Sequence, residues 1–206
     1  MKGARNLTDE EIVNVFNELK TKRDKALFLV GISTGLRVSE LLSLTVGDIY
    51  KNGQISDWVT VQKKNTKGKS ESKTLPIPAD IKSFLHDYVK TTMGPEEALF
   101  KSTKDNKAIS RIQAHKILKK VFGRLEMTGN LSTHCWRKAF AHRTHKAMGN
   151  QIEKTRVALG HKNLSSTVSY IEVNKEEVNT VINNVGNDLA GKIFGSMGSG
   201  AIVGIG

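Results

Sequence analysis

Cysteine is nearly missing from these 206 residues, and Cys135 stands alone. No disulfide can form within the chain, and no Cys/His group has the spacing of a zinc site, so neither a metal nor another cofactor is expected. Long apolar runs are missing too. No stretch approaches the roughly 20 residues needed to cross a bilayer, and the polar N-terminus lacks the apolar core of a signal peptide, which predicts a soluble, intracellular protein. There is no P-loop to cradle a nucleotide triphosphate, no internal repeat, and no Pro/Ser-rich linker that would split the chain. One main domain over residues 1–185 is expected, followed by a glycine-rich tail over 186–206.

What the chain has in excess is positive charge. Lysine and arginine number 32 against 20 acidic residues, a formal charge of +12. Composition alone divides evenly between a merely soluble basic surface and a polyanion binder. Position favours the binder: Lys63, Lys64, Lys67, Lys69 and Lys73 crowd a short stretch after Trp58-Val59-Thr60-Val61, where a hairpin presents them to a phosphate backbone.

Periodicity predicts mostly helices. Thr8 and Glu11 form a capping box ahead of Ile12, Val13, Phe16 and Leu19. Ala26 to Ile32 is apolar nearly all round and closes at Gly35, as a buried helix with a left-handed glycine cap does. A short helix is predicted over Val38 to Leu44. From Asp48 to Pro78 short alternating pieces predict a small antiparallel sheet, with Lys63 to Lys73 as its hairpin loop. Helices then follow around Ile81 to Tyr88, behind Ser110, after Ser132-Thr133, and from Gln151 to a stop at Gly160, with a short one carrying Tyr170. Val178, Val181, Ile182 and Val185 share one face of a last helix, and that face requires burial. The class is mainly α with a small antiparallel β-sheet, α+β.

Three motifs carry chemistry: Thr34-Gly35-Leu36-Arg37-Val38-Ser39-Glu40-Leu41, His134-Cys135-Trp136-Arg137, and Ala158-Leu159-Gly160-His161 with Tyr170 nine residues beyond the histidine. Singly, each has a structural reading: Arg37 as a helix cap, His134 and Arg137 as a solvated face, His161 as a surface residue at a helix stop. Cys135 and Trp136 read as packing, and His115, His142 and His145 as structural or exposed. Jointly the motifs suit a tyrosine hydroxyl attacking a phosphodiester. Negative charge gathers on the non-bridging oxygens, and paired guanidinium groups, Arg37 and Arg137, match that geometry. His134 donates to the same oxygens or moves a proton, and His161 orients Tyr170 or stabilises the phosphate. The 5′ hydroxyl is a poor leaving group and needs an acid; Lys64 is the candidate, with Lys67 in reserve.

In this ordered set the chain resembles the tyrosine recombinase (phage integrase) family, over about residues 7 to 180. The resemblance implies that family's catalytic-domain fold. It puts Arg37, Lys64, His134, Arg137, His161 and Tyr170 at the catalytic positions and Glu40 at a supporting acidic one. Lys63, Lys67, Lys69 and Lys73, as charges crowding one loop, are expected to contact the DNA backbone and not to catalyse. It implies a site-specific recombinase or integrase acting on double-stranded DNA through a 3′-phosphotyrosine intermediate, without metal or ATP. It further implies a homo-tetramer exchanging strands through a Holliday junction, with residues 178 to 185 as the helix that reaches a neighbour. The setting implied is the cytoplasm, at the nucleoid, or a host cell's interior for a virus or mobile element. A type IB topoisomerase-like nicking and closing enzyme, or an inactive DNA-binding regulator of the same fold, are the alternatives. Family members usually carry a helical domain ahead of the catalytic one. Only 36 residues precede Arg37 here, so either a catalytic fragment or a recombinase gripping DNA with less surface is expected.

Overall fold

The computed structural model describes residues 4–66, 72–89, 94–160, 164–168, 179–185 and 187–188. The chain divides into two units, Met1–Ile171 and Glu172–Gly206. The first holds the core. It opens with α1 (Asp9–Glu18), whose start is the predicted capping box: the Glu11 amide donates to Thr8 Oγ1 at 3.1 Å, and the Thr8 amide donates to Glu11 Oε2 at 2.9 Å. Two amides that the helix itself leaves unpaired are thereby satisfied.

Helix α2 (Lys22–Thr34) is capped by Thr21 and buries Ala26, Leu27, Phe28 and Val30, as its nearly continuous apolar run requires. It ends at Gly35, where φ is +62°. A side chain there would be strained twice over, because a β-carbon would also lie 2.3 Å from the Phe140 ring. Phe140 belongs to α6 (His134–Ala147), which packs on α2 where Gly31 lets the Trp136 indole close against the backbone.

Helix α3 (Val38–Leu41) is shorter than the expected Val38 to Leu44, and Leu44 is buried beyond its end. The expected single sheet is two separate antiparallel ribbons: β1 (Tyr50–Lys51) with β2 (Gln54–Ile55), and β3 (Trp58–Val61) with β4 (Lys73–Pro76). Val59 faces Leu75 and Val61 faces Lys73 in register. Val59 and Val61 are buried, while Trp58 is exposed, the period-2 alternation of a ribbon with one face on a core. The expected hairpin loop differs at both ends. Lys63–Asn65 form a 3-10 turn and Lys73 already belongs to β4; Lys67 and Lys69 lie outside the described residues.

The remaining helices of this unit are α4 (Ala79–Val89), α5 (Arg111–Arg124), α6, α7 (Ile152–Leu159) and α8 (Leu164–Val168). Ser110 caps α5 with a second capping box through Gln113. Helix α7 stops at Gly160, again with φ +62°. The second unit is helical over 179–185, with Val181, Ile182 and Val185 each more than half exposed. Among the described residues, no helix is long and apolar enough to cross a membrane. The mainly helical α+β class expected of the chain is the one observed.

Candidate active site

The site grows from the way α6 fastens itself to the loop leaving α2. Trp136 Nε1 donates to the Leu36 carbonyl at 3.1 Å, and Arg137 Nη1 donates to the carbonyl of Gly35. Two consecutive carbonyls, left over where α2 ends, thus find buried donors from one turn of α6. The next residue along the chain is Arg37. Both motif arginines are therefore anchored to the same three-residue segment, although 100 residues separate them in sequence.

Arg137 is 1% exposed. Its Nη2 reaches across to the Leu159 carbonyl at 3.0 Å, the last residue of α7. Arg37 is only partly buried and turns on Glu40, which receives the Arg37 amide on Oε2 and the Arg37 Nη1 on Oε1, both at 2.8 Å. Glu40 itself is 1% exposed. Burial pushes its carboxyl pKa up, but the hydrogen bonds from Arg37 and the charges of Lys73 and Arg37 more than offset this, and the net direction is down. Glu40 is thus held ionised and keeps the Arg37 guanidinium in one orientation.

His134 opens α6, exposed at its mouth, with its amide on Ser132 Oγ. Burial of the ring, then the charges of Arg137 and Arg37, lower its pKa below the ordinary histidine value. The ring is accordingly neutral at pH 7 and offers one N–H and one acceptor.

Lys73 joins this group and not the loop lysines expected to contact phosphate, because it belongs to β4 and its side chain turns inward. From β4 its Nζ donates to the Leu159 carbonyl at 3.1 Å, the same oxygen that Arg137 holds. Burial first, then the charges of Arg137 and Arg37, with Glu40 opposing, lower its pKa to about 8. Strand alternation carried the signal: Leu75 packs against the core, so Lys73, two residues back, shares its inward side.

Of the expected site residues, the structure brings Arg37, Glu40, His134 and Arg137 together. Lys63 and Lys64 are exposed in the 3-10 turn. Lys67, Lys69, His161 and Tyr170 lie outside the described residues. Trp136, taken as packing, does pack, and it also ties α6 to Leu36. Among the described residues there is no group of three or more His, Cys, Asp or Glu able to hold a metal ion.

The profile of the phage integrase family matches residues 5–177. The chain belongs to that family. It is 33% identical over 157 residues to a probable integrase/recombinase, YoeC, of Bacillus subtilis (strain 168), covering 76% of this chain and 81% of that one. It is 30% identical over 162 residues to the tyrosine recombinase XerC of Herpetosiphon aurantiacus, covering 75% of this chain and 49% of the relative. The fold is similar to that of the XerA recombinase crystal structure, with TM-score 0.70 at 18% identity, covering 89% of this chain and 66% of that one. It is similar as well to XerH bound to its palindromic difH substrate after cleavage, with TM-score 0.69 at 19% identity, covering 86% and 51%. The chain therefore spans about half the length of the XerC and XerH proteins.

Proposed function

We propose that this phage integrase family member is a site-specific DNA recombinase that cleaves and rejoins strands through a 3′-phosphotyrosine intermediate. The observation that carries the reading is the paired anchoring of Arg37 and Arg137 on residues 35 to 37, with Glu40 aligning Arg37 and a neutral His134 at the mouth. Two guanidinium groups fixed before substrate arrives can stabilise the charge that grows on the non-bridging oxygens, without reorganising at the moment of reaction.

Tyr170 Oη attacks phosphorus, the P–O5′ bond breaks, and the 3′ phosphate passes to tyrosine. The phenolic proton leaves during attack, and His161 orients the hydroxyl. The departing 5′ oxygen takes a proton, assigned to Lys64 with Lys67 in reserve. One phosphoester replaces another, so a second strand's 5′ hydroxyl reverses the step without ATP. Arginines do for the phosphate what a metal ion does elsewhere.

Double-stranded DNA is the partner, as the basic charge and the DNA-bound recombinases of the same fold support. The exposed apolar residues of the 179–185 helix suit packing on a neighbouring subunit, which supports a tetramer on paired sites. Action on DNA suits the cell interior, at the nucleoid or in a host cell.

The test is covalent capture. Nicked duplexes with a randomised core are incubated with wild-type protein and with Tyr170→Phe, and adducts that survive denaturation are recovered and sequenced. The proposal predicts an adduct with wild type and none with Tyr170→Phe. Specific binding without an adduct would mean a regulator, and an adduct resealing only its own strand would mean a topoisomerase-like enzyme.

A further inference from the structure

One partly buried cation has no part in the reaction so far. We propose that Lys73 is a positioning residue, which ties the end of helix α7 to strand β4 and so holds the Gly160 turn against the arginine pair. The inference rests on the recombinase reading of the site and assigns a role to a residue outside its reacting set.

The geometry is a three-way junction on one oxygen. The Leu159 carbonyl receives Arg137 Nη2 from α6 at 3.0 Å and Lys73 Nζ from β4 at 3.1 Å. The Lys73 side chain also lies along Gly160. A β-carbon on that glycine would approach Lys73 Cε to 3.3 Å, so the absence of a side chain there lets the lysine pass. Helices leave their last carbonyls unpaired, and here two cations from different elements share one of them. Lys63 and Lys64 lie in the turn that leaves β3, at the same end of the β3–β4 ribbon as Lys73, which pairs with Val61. Lys73 connects this ribbon to the segment that continues into His161 in the sequence.

The groups facing Lys73 are Arg37 and Glu40 at α3, Arg137 of α6, and the Leu159 carbonyl of α7. One carboxylate stands against two guanidinium groups, and with burial this leaves the amine close to half-protonated near pH 8. A neutral amine is a weaker donor to the carbonyl than an ammonium. The junction is therefore tight below about pH 8 and slackens above it.

A lysine that positions and a lysine that gives up a proton differ in one respect. Arginine replaces the first, because it donates the same kind of charged hydrogen bond, but not the second, because it keeps its proton at any working pH. The test measures adduct formation at limiting DNA, where free-protein groups govern the pH profile, on duplexes recovered with wild type. Lys73→Met is expected to cut the rate about 10²-fold, the effect of a site misplaced by about an ångström. Lys73→Arg is expected to stay within about fivefold of wild type and to lose the fall in rate above about pH 8. If Lys73→Arg is as slow as Lys73→Met, Lys73 donates a proton and the positioning role is wrong; an unaffected Lys73→Met also overturns it. A second readout needs no activity: pulse acetylation of the wild-type protein across pH, with Lys73 quantified by peptide mapping. An amine titrating near 8 supports the junction, and one titrating at roughly 10.4 with the surface lysines refutes it. No wild-type adduct would sink the recombinase reading, and the acetylation profile would still decide the junction.

Discussion

Two sets of cations in this chain behave differently. Arg37, Arg137 and Lys73 point inward, each bonded to a carbonyl or carboxylate, and Arg137 is almost wholly buried. Lys63 and Lys64 stand exposed in a turn. Burying a guanidinium is costly unless every donor is used, so a fold that does it gains something other than stability. In the proposed reaction the gain is orientation: the inner set is held in place before DNA arrives, whereas the outer set stands exposed to follow the backbone. Inner cations should govern rate, and outer ones affinity and its salt dependence.

The largest effect is expected at Arg137. Arg137→Ala strips donors from the Gly35 and Leu159 carbonyls and removes a charge from the proposed phosphate clamp. Cleavage should fall at least 10³-fold, with a loss of roughly 3–5 kcal/mol in urea unfolding. Wild-type stability in this variant would mean the inner frame is not built as described.

Next comes Glu40. Glu40→Gln keeps the shape but leaves Arg37 without its counter-charge. Stability should drop by about 2–3 kcal/mol at pH 7. The wild-type advantage follows from a folded pKa below the ordinary glutamate value of 4.5. It is fully present above that unfolded value and is lost as pH falls through the folded one. Unfolding curves of the two proteins at pH 7 and at successively lower pH below 4.5 check both the size and the narrowing of the gap.

Smaller still is Lys73, where the sign reverses. Its folded pKa, about 8, lies below the 10.5 of an open chain. The ammonium therefore costs stability below pH 8, and wild type gains stability as pH rises from about 8 towards 10.5. Lys73→Met should melt above wild type at pH 7, and the gap should close by pH 10. The smallest effects belong to the rim: Lys63→Ala should leave the cleavage rate at saturating DNA unchanged and lower the salt slope of binding by about 1.

Much of this division was legible in the residues. The Thr8–Glu11 capping box, the glycine stops at 35 and 160, and the helix bearing His134 and Arg137 all rest on local chemistry, which a sequence displays directly. Arg37 with Glu40 is an i,i+3 pair and equally local. Lys73 was not legible as part of the site, because its partner, Leu159, lies 86 residues away and is a backbone carbonyl, which no residue type marks. Trp136 was half legible: its size indicates burial, but its bond to Leu36 depends on how α6 crosses α2. The two ribbons read as one sheet because alternation reveals strands and not their partners.

In the proposed reaction the inner arginines act on the transition state and do not simply hold DNA. Arg37→Lys keeps the charge and loses the two-pronged geometry. Single-turnover adduct formation at saturating DNA, with affinity measured on the same duplex, separates the two roles. For Arg37→Lys the rate should be lower by about 10²–10³ and the affinity within a few-fold of wild type. An unchanged rate at saturation with weakened binding would mean that Arg37 only holds DNA.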